Sequence, residues 1–475
     1  FKVILCRYRT RMRSTTAACR DMLIRLVLLR SILPAAWGLR LTGHEPLRDA
    51  ASPYRQQMDN HGDVRYSADV KIGGSRFAAL LDTGSYDVVV LDGTNQGSTA
   101  DRVRTLPSFR LGVHADVRRY GSGSCDVVDG RAPVAIGQHE AEQDLWLSEH
   151  CQFQAQRQLP WEVVVGLAPP GKARYVARKE LDKIHEKTVE FRTVKKAVPD
   201  SLKKEEQKWK DRLKLALSKT PLLERFGVTS FSACFESGPG RPAWLTWHDT
   251  QLPGRAGTMT LPVAGNVTWS IALRNLHLNG EVQALGCEDG CLAVLDTGTS
   301  FITVPRSVYE RLQGRIWERL RQVGRCDHSM FPDIVMEVDG GSLRLPPDSY
   351  LGFRQGQMNA EVGQFMRQDE AFNSEEYLGC QLLMFELHDE RTPLGPMIIL
   401  GAPFFRTYYT AFDLGKGQSN RSVHFARTGG TCDLSKTKAG SALERLEETA
   451  RQPRTVNISE AQTPQWLTSR VDISI

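Results

Sequence analysis

The stretch Leu292-Ala293-Val294-Leu295-Asp296-Thr297-Gly298-Thr299-Ser300-Phe301-Ile302-Thr303-Val304-Pro305 places one carboxylate and one glycine between two apolar runs. This pattern predicts a buried strand, a tight turn that carries Asp296, and a β-branched strand that leaves the turn. An earlier copy reads Phe77-Ala78-Ala79-Leu80-Leu81-Asp82-Thr83-Gly84-Ser85, with Val88-Val89-Val90-Leu91 after it. Such a four-residue word is expected by chance in roughly one chain in a hundred of this length. Two copies with matching flanks therefore indicate an internal duplication with one acid in each half.

The two aspartates suggest acid–base chemistry. The hydroxyl that follows each glycine, on Ser85 or Thr299, can donate to its own aspartate and orient it. If the turns face each other, Asp82 and Asp296 cannot both ionise at close range, so the pair holds one proton. One carboxylate can then act as a base on water while the other acts as an acid on a carbonyl. A single Asp-Thr-Gly is equally compatible with an ordinary turn. A P-type ATPase phosphorylation loop needs a lysine after the aspartate, which neither copy has.

Further motifs make the chain similar to the pepsin-like aspartic endopeptidases, the established example of such a shared-proton pair. The resemblance covers most of residues 62 to 428. It includes a segment like the family's flap at Tyr120-Gly121-Ser122, and segments like those that support the catalytic loops at Val164–Leu167 and Ile399–Ala402. It implies a mostly β, bilobal acid protease fold, with two duplicated β lobes, the active-site cleft between them and a helical insertion in the first lobe.

The resemblance also assigns roles. Asp82 and Asp296 would hold the nucleophilic water and polarise the scissile carbonyl, without a covalent intermediate. Thr83 and Thr297 would link the two loops, and the residues that shape them would be Gly84, Ser85, Gly298 and Thr299. The sequence departs from the family at Val89, where a tryptophan usually braces the flap tyrosine. Trp146 and Trp161 are candidates for a substitute brace.

We predict five segments: a leader at 1–38, a short polar pre-segment at 39–61, an N-terminal catalytic lobe at 62–249, a C-terminal catalytic lobe at 250–432 and a polar, mobile tail at 433–475. Within the leader, residues 22–38 form a short apolar core that ends in small residues, as in a secretory signal. Arg25 and Arg30 leave a basic amphipathic leader as the alternative. No stretch is long and apolar enough to span a bilayer, so no transmembrane anchor is expected.

The segment Lys172–Lys219 has sixteen Lys and Arg against eight Asp and Glu, a net of +8, while the whole chain carries +6. Its apolar spacing predicts two helices separated by Pro199-Asp200-Ser201. We expect a solvated insertion that enlarges a loop. The alternative is a docking arm for an acidic partner, a membrane or a nucleic acid. No nucleic-acid motif supports that alternative, and no nucleic-acid partner is expected.

The cysteines indicate an oxidising compartment. Cys287 and Cys291 could be a fragment of a metal site, but no second pair or histidine cluster accompanies them, so neither a metal nor another cofactor is expected. The resemblance instead implies a small disulfide loop at Cys287–Cys291 and a long-range disulfide between Cys326 and Cys380. Cys125 with Cys151 is plausible, and Cys234 and Cys432 have no assignable partner. With the leader and three glycosylation sequons, we expect a secreted protein or an acidic vacuole or lysosome-like location.

We therefore predict a monomeric aspartic endopeptidase that hydrolyses a peptide or protein substrate, at acidic pH. The alternative is a catalytically inactive protein of the same fold that binds peptides or proteins. Such proteins usually lack an aspartate or the flap tyrosine, and this chain has all three.

Overall fold

The computed structural model describes residues 53–92, 98–120, 123–151, 161–358, 362–367, 381–387, 391–416, 420–435 and 453–464. At 119, 120, 123, 150, 151 and 391 the backbone alone is described. The predicted leader lies outside these residues. No helix in the described ranges is both long and apolar enough to cross a bilayer.

The chain is mostly β. Its strands are β1 (Tyr54–His61), β2 (Arg65–Ile72), β3 (Ser75–Asp82), β4 (Val88–Val90), β5 (Arg110–Tyr120), β6 (Gly123–Ile136), β7 (His139–Cys151), β8 (Val163–Gly166), β9 (Ser230–Phe235), β10 (Ala243–Trp247), β11 (Met259–Pro262), β12 (Ser270–Leu273), β13 (Asn275–Leu278), β14 (Ala284–Gly286), β15 (Cys291–Leu295), β16 (Ile302–Pro305), β17 (Ile334–Val338), β18 (Gly341–Leu345), β19 (Leu351–Gln355), β20 (Gln381–Leu382), β21 (Met384–Leu387), β22 (Arg391–Thr392), β23 (Gly395–Leu400), β24 (Tyr408–Asp413), β25 (Ser422–Arg427) and β26 (Arg454–Asn457).

The helices are α1 (Thr99–Arg104), α2 (Lys172–Thr193), α3 (Asp200–Ser218), α4 (Leu222–Arg225), α5 (Arg306–Val323) and α6 (Ala402–Thr407). Short 3-10 turns cover His328–Met330, Pro347–Ser349, Val362–Gln364 and Ile458–Glu460. The predicted pair of helices in the basic segment is present as α2 and α3, which are separated at Pro199.

A 13-stranded sheet contains strands from both halves of the chain, in the order β11-β25-β24-β9-β10-β1-β2-β3-β8-β4-β7-β6-β5. The other sheets have the orders β12-β15-β23-β16-β21 with β22 beside β23, β14-β13-β17-β18, and β20-β19-β26. One large apolar core runs through both halves. Within it, the indole N–H of Trp269 donates to the carbonyl oxygen of Leu167 at 2.9 Å, which ties the second half to the first.

The internal duplication appears in the strand pairing. In the first half β3 is parallel to β8, β4 is antiparallel to β8, and β4 is parallel to β7. In the second half β15, β23, β16 and β21 repeat these three pairings in the same order. Strands buried on both faces read as continuous apolar runs, and β8 and β15 are buried along their whole length. The apolar runs that identify the duplication in the sequence are β3 and β15, which hold equivalent places in these two sets of pairings.

Local sequence sets the bounds of helix α5. It begins directly after Pro305 and buries Val308, Leu312, Ile316 and Leu320, which recur every four residues. It ends at Gly324, whose φ of 69° is a left-handed conformation that favours glycine. The helix thus covers one face of the second half with the amphipathic pattern expected from the sequence.

Two boundaries differ from the prediction. The last residues of the predicted polar pre-segment belong to the folded sheet, because Tyr54–His61 forms β1 and pairs with both β10 and β2. The tail is not polar and mobile throughout, because Arg454–Asn457 forms β26 beside β19. Val456 and Ile458 are buried there against Val64 and Phe301. In both places the strands are stabilised by partners far away in the sequence.

Disulfides form at Cys287–Cys291, as the resemblance implied, and at Cys234–Cys432, which the sequence left unassigned. Cys125 is disulfide-bonded and lies opposite Cys151 in the register of β6 and β7. Cys326 is also disulfide-bonded, and its expected partner, Cys380, lies outside the described residues. The pairings of Cys125 with Cys151 and of Cys326 with Cys380 stay predictions.

Candidate active site

Both aspartates lie where a buried central strand ends. Asp82 is the last residue of β3, and Asp296 follows β15 directly. The neighbouring parallel strands support the turns, since Leu167 N–H donates to Asp82 O at 2.7 Å and Asp296 N–H donates to Leu400 O at 3.1 Å. Gly401 must be a glycine, because a Cβ there would lie 2.4 Å from the carbonyl oxygens of Thr299 and Phe301. The two apolar–glycine segments thus support the loops, as the resemblance implied.

Two threonines join the loops. Thr83 N–H donates to Thr297 Oγ1 and Thr297 N–H donates to Thr83 Oγ1, both at 3.0 Å. Each hydroxyl then donates across to the opposite strand, Thr83 to Leu295 O at 2.9 Å and Thr297 to Leu81 O at 2.7 Å. All four bonds are buried, and they form a symmetric network that fixes one catalytic loop relative to the other.

The two carboxylates share one site. A Cβ placed on Gly298 would lie 2.5 Å from Asp82 Oδ1 and 3.2 Å from Asp296 Oδ1. A Cβ on Gly84 would lie 2.8 Å from all three carboxyl atoms of Asp296. Each glycine of a turn therefore leaves room for the carboxylate of the opposite turn, which no other residue could do. Both aspartates are fully buried.

Hydrogen bonding differs between the aspartates. Asp296 accepts from Gly298 N–H at 2.9 Å and from the Thr299 hydroxyl at 2.7 Å. Asp82 accepts from Gly84 N–H at 2.8 Å, while its Oδ2 has no hydrogen-bond donor in the described ranges. The Ser85 hydroxyl favours the ionised form of Asp82 by its side-chain interaction with that carboxylate, as expected, although it makes no well-formed hydrogen bond of the kind that Thr299 makes to Asp296.

Burial and the neighbouring Asp296 raise the pKa of Asp82 well above its usual value of 3.8, against a smaller opposing effect of its hydrogen-bond donors. Desolvation penalises the charged form of an acid, and a second carboxylate adds repulsion. The buried pair therefore holds a proton to higher pH than a free aspartate would.

The flap prediction is covered in part by the described residues. Tyr120 ends β5 and pairs with Gly123 at the start of β6, so it lies at the tip of a long hairpin. Gly121 and Ser122, and the side chain of Tyr120, lie outside the described structure. Beside the hairpin, Val89 lies opposite Trp146 in the pairing of β4 with β7. Val89, Trp146 and Trp161 belong to one buried cluster. Trp146 and Trp161 thus fill the space near Val89, the position where the family usually has a tryptophan.

The basic insertion forms part of the wall of a cavity next to the first catalytic loop. The cavity has a volume of about 520 Å³, and its lining includes Ser85, Tyr86, Arg118, Trp146, Lys172 and Trp209. Lys172 Nζ lies 4.0 Å from the centre of the Tyr86 ring, a cation–π contact. Removal from water lowers the pKa of Lys172 to about 8, and Asp87 opposes this effect. The expectation of a merely solvated insertion is therefore wrong for this end of it.

The insertion is also anchored at its other end. Lys219 Nζ lies 3.0 Å from Asp129 Oδ2 on β6, and 3.9 Å from the centre of the Trp146 ring. The sequence shows charge and helical periodicity in this segment, but it carries no signal for which helix end meets the catalytic half. Lys172 and Tyr86 were accordingly missed as site residues, and Trp146 was expected only as a brace for the flap.

Comparison with known proteins agrees with this geometry. The family model for eukaryotic aspartyl proteases matches residues 250–428. Pepsin A from Bos taurus is 23% identical over 79% of this chain and 89% of its own length. Vacuolar protease A from Arthroderma otae is 23% identical, over 78% of this chain and 80% of its own length. Pepsin A from Sus scrofa is 31% identical over 32% of this chain and 34% of its own.

The two buried aspartates lie on duplicated loops that a threonine network joins. This is the arrangement of the aspartic proteases, in which two carboxyl groups share one proton. The similarity to Pepsin A from Bos taurus over 79% of this chain and the family match in the second half agree with that class. The chain is thus similar to the pepsin-like aspartic proteases, and its mostly β architecture is consistent with their bilobal fold.

Proposed function

We propose that this protein is an active aspartic endopeptidase that works at acidic pH. The observation that carries the proposal is the pair Asp82 and Asp296: two buried carboxylates in one site, one of which has a strongly raised pKa. Such a pair can hold an acid and a base side by side.

In the proposed reaction Asp296 acts as the base, because it already accepts two hydrogen bonds that stabilise a carboxylate. It takes a proton from a water as the water oxygen attacks the scissile carbonyl carbon. Asp82 gives its proton to the carbonyl oxygen, which forms a neutral tetrahedral diol. Proton transfer to the amide nitrogen then allows the carbon–nitrogen bond to break. No bond forms between the protein and the substrate.

The hairpin of β5 and β6 would cover the substrate with Tyr120 at its tip, and the cavity beside Tyr86 would accept a substrate side chain. The similarity to Vacuolar protease A, together with the disulfides, supports an acidic compartment of the secretory pathway as the location.

The test is incubation of the folded protein with a denatured protein substrate between about pH 3 and 7. We expect cleavage by the parent and its loss in Asp82→Asn and Asp296→Asn, because an amide fills the space but cannot share the proton. Asp339→Asn is the matched control, since that carboxylate is exposed and forms an ion pair with Arg274. A folded parent that cleaves nothing would refute the proposal and favour a peptide-binding protein.

A further inference from the structure

The described end of the tail, residues 454–464, is held against the second catalytic loop. Strand β26 pairs in parallel with β19, from Gly352 opposite Arg454 to Gln355 opposite Asn457. Val456 and Ile458 are buried, and Glu460 makes an ion pair with Arg65 at 2.9 Å. These contacts fix the direction in which the chain continues after the 3-10 turn.

The chain next meets Ser300. Gln462 N–H donates to Ser300 Oγ at 2.6 Å, and Ser300 N–H donates to Gln462 O at 3.0 Å. The backbone N–H and the carbonyl oxygen of Gln462 thus both have hydrogen-bond partners on Ser300. This is how a sheet edge binds an extended peptide, through the main chain and without regard to the side chain.

Ser300 lies directly beside the catalytic centre in the chain. It follows Thr299, whose hydroxyl donates to Asp296 Oδ2 at 2.7 Å. The residues from Ala461 to Pro464 are all buried, although none of them belongs to a strand or helix. The contacts with Ser300, one residue after Thr299, therefore place this buried segment next to the second catalytic loop.

We propose that Ser300 and the edge of β19 form a groove that binds extended peptide, and that residues 454–464 occupy it as an internal competitor of the substrate. The inference rests on the proposed function, since it makes the groove part of the substrate site. A tethered segment competes at a high effective concentration, so a segment with modest affinity can still occupy the groove. Its release would leave the catalytic residues unchanged and lower the apparent KM.

The sharpest variant is Gln462→Pro, which removes the N–H that is donated to Ser300. Ala461, which precedes it, has φ −65° and ψ 140°, a conformation that a following proline tolerates. Loss of one hydrogen bond corresponds to about a fivefold change in the equilibrium of the segment. We expect KM to fall by up to about fivefold while kcat stays within about twofold. The matched control is Gln462→Ala, which keeps both backbone bonds and should behave like the parent.

A second measurement does not depend on catalysis. Asp82→Asn protein, with and without Gln462→Pro, is titrated with a fluorescently labelled peptide from the denatured substrate, and binding is followed by anisotropy. We expect tighter binding with Gln462→Pro. A synthetic peptide of residues 454–464 should compete with the labelled peptide, whereas the same peptide with proline at position 462 should compete more weakly. Circular dichroism shows whether each variant is folded.

The outcomes separate the two proposals. If all proteins are inactive but Gln462→Pro tightens peptide binding, the inference holds and the protease proposal fails. If the parent cleaves substrate and Gln462→Pro changes neither KM nor the binding constant, the segment is a fixed part of the fold and the inference is overturned. A rise in KM in a folded Gln462→Pro protein would also overturn it.

Discussion

Removal of the Thr297 hydroxyl tests whether the two loops depend on each other. Thr297→Val keeps the shape of the side chain but leaves Thr83 N–H without its acceptor at 3.0 Å. Leu81 O also loses the donor at 2.7 Å. A buried polar group left unpaired costs about 1–3 kcal/mol. We therefore expect the free energy of unfolding to fall by about 2–4 kcal/mol, because two such groups are affected and the site is closed to water.

The assay is urea unfolding followed by fluorescence, with the midpoint and slope compared between variants. Thr303→Val is the matched control, because that threonine is also fully buried but its hydroxyl has no hydrogen-bond partner among the described residues. We expect it to change stability by less than about 0.5 kcal/mol, or to stabilise. The double variant Thr83→Val with Thr297→Val should cost less than the sum of the single variants, since the two residues share one network. A harmless Thr297→Val, or a Thr303→Val that is equally costly, would refute the reasoning.

Three further predictions concern the surroundings of the dyad. Val89→Trp should destabilise the fold by about 1–3 kcal/mol or more and should not raise activity, because Trp146 and Trp161 already fill that space. The control is Val113→Trp, at a position on β5 that is 92% exposed. A gain of activity in Val89→Trp would contradict the packing. The free energy of unfolding of the parent should fall as pH rises from about 4, since unfolded Asp82 ionises near 3.8 while folded Asp82 stays protonated up to its raised pKa. In urea titrations at several pH values, Asp82→Asn should lose the contribution of this group to the slope of unfolding free energy against pH. An unchanged slope would count against a raised pKa. Trp209→Ala should raise KM for substrates with large side chains with little change in kcat, because Trp209 lines the cavity beside Tyr86. Leu217→Ala, at an exposed position on the same helix, should leave KM unchanged. Equal KM values for the two variants would indicate that the insertion does not contact the substrate.

Much of the site could be predicted because its signal is local. An apolar strand, the Asp-Thr-Gly turn and a second apolar strand are contiguous in the sequence, and the glycines are required by the close approach of the opposite carboxylate. The duplication then implied two such turns. The sequence could not reveal that Thr299 makes a well-formed hydrogen bond to its aspartate while Ser85 interacts with Asp82 in a looser geometry. That difference depends on side-chain geometry within an otherwise equivalent turn.

The missed features all depend on long-range contacts. Val456 and Ile458 are two apolar residues in a polar segment, and only their contacts with Val64 and Phe301 make them core residues. Gln462 and Ser300 are separated by 162 positions. The cavity beside Tyr86 similarly depends on where helix α2 begins relative to the first catalytic loop. Local pattern identified the helices of the insertion, but not the surface on which they pack.

The most direct test of the central claim is a comparison of kcat/KM for the parent, Asp82→Asn, Asp296→Asn and the double variant, with an unfolded protein as substrate at acidic pH. If the two aspartates act as one unit, each single variant should fall to the same residual value as the double variant, because half of a shared-proton pair has no function alone. Losses that multiply from the single variants to the double variant, or a single variant that retains most of the parent's activity, would contradict the account.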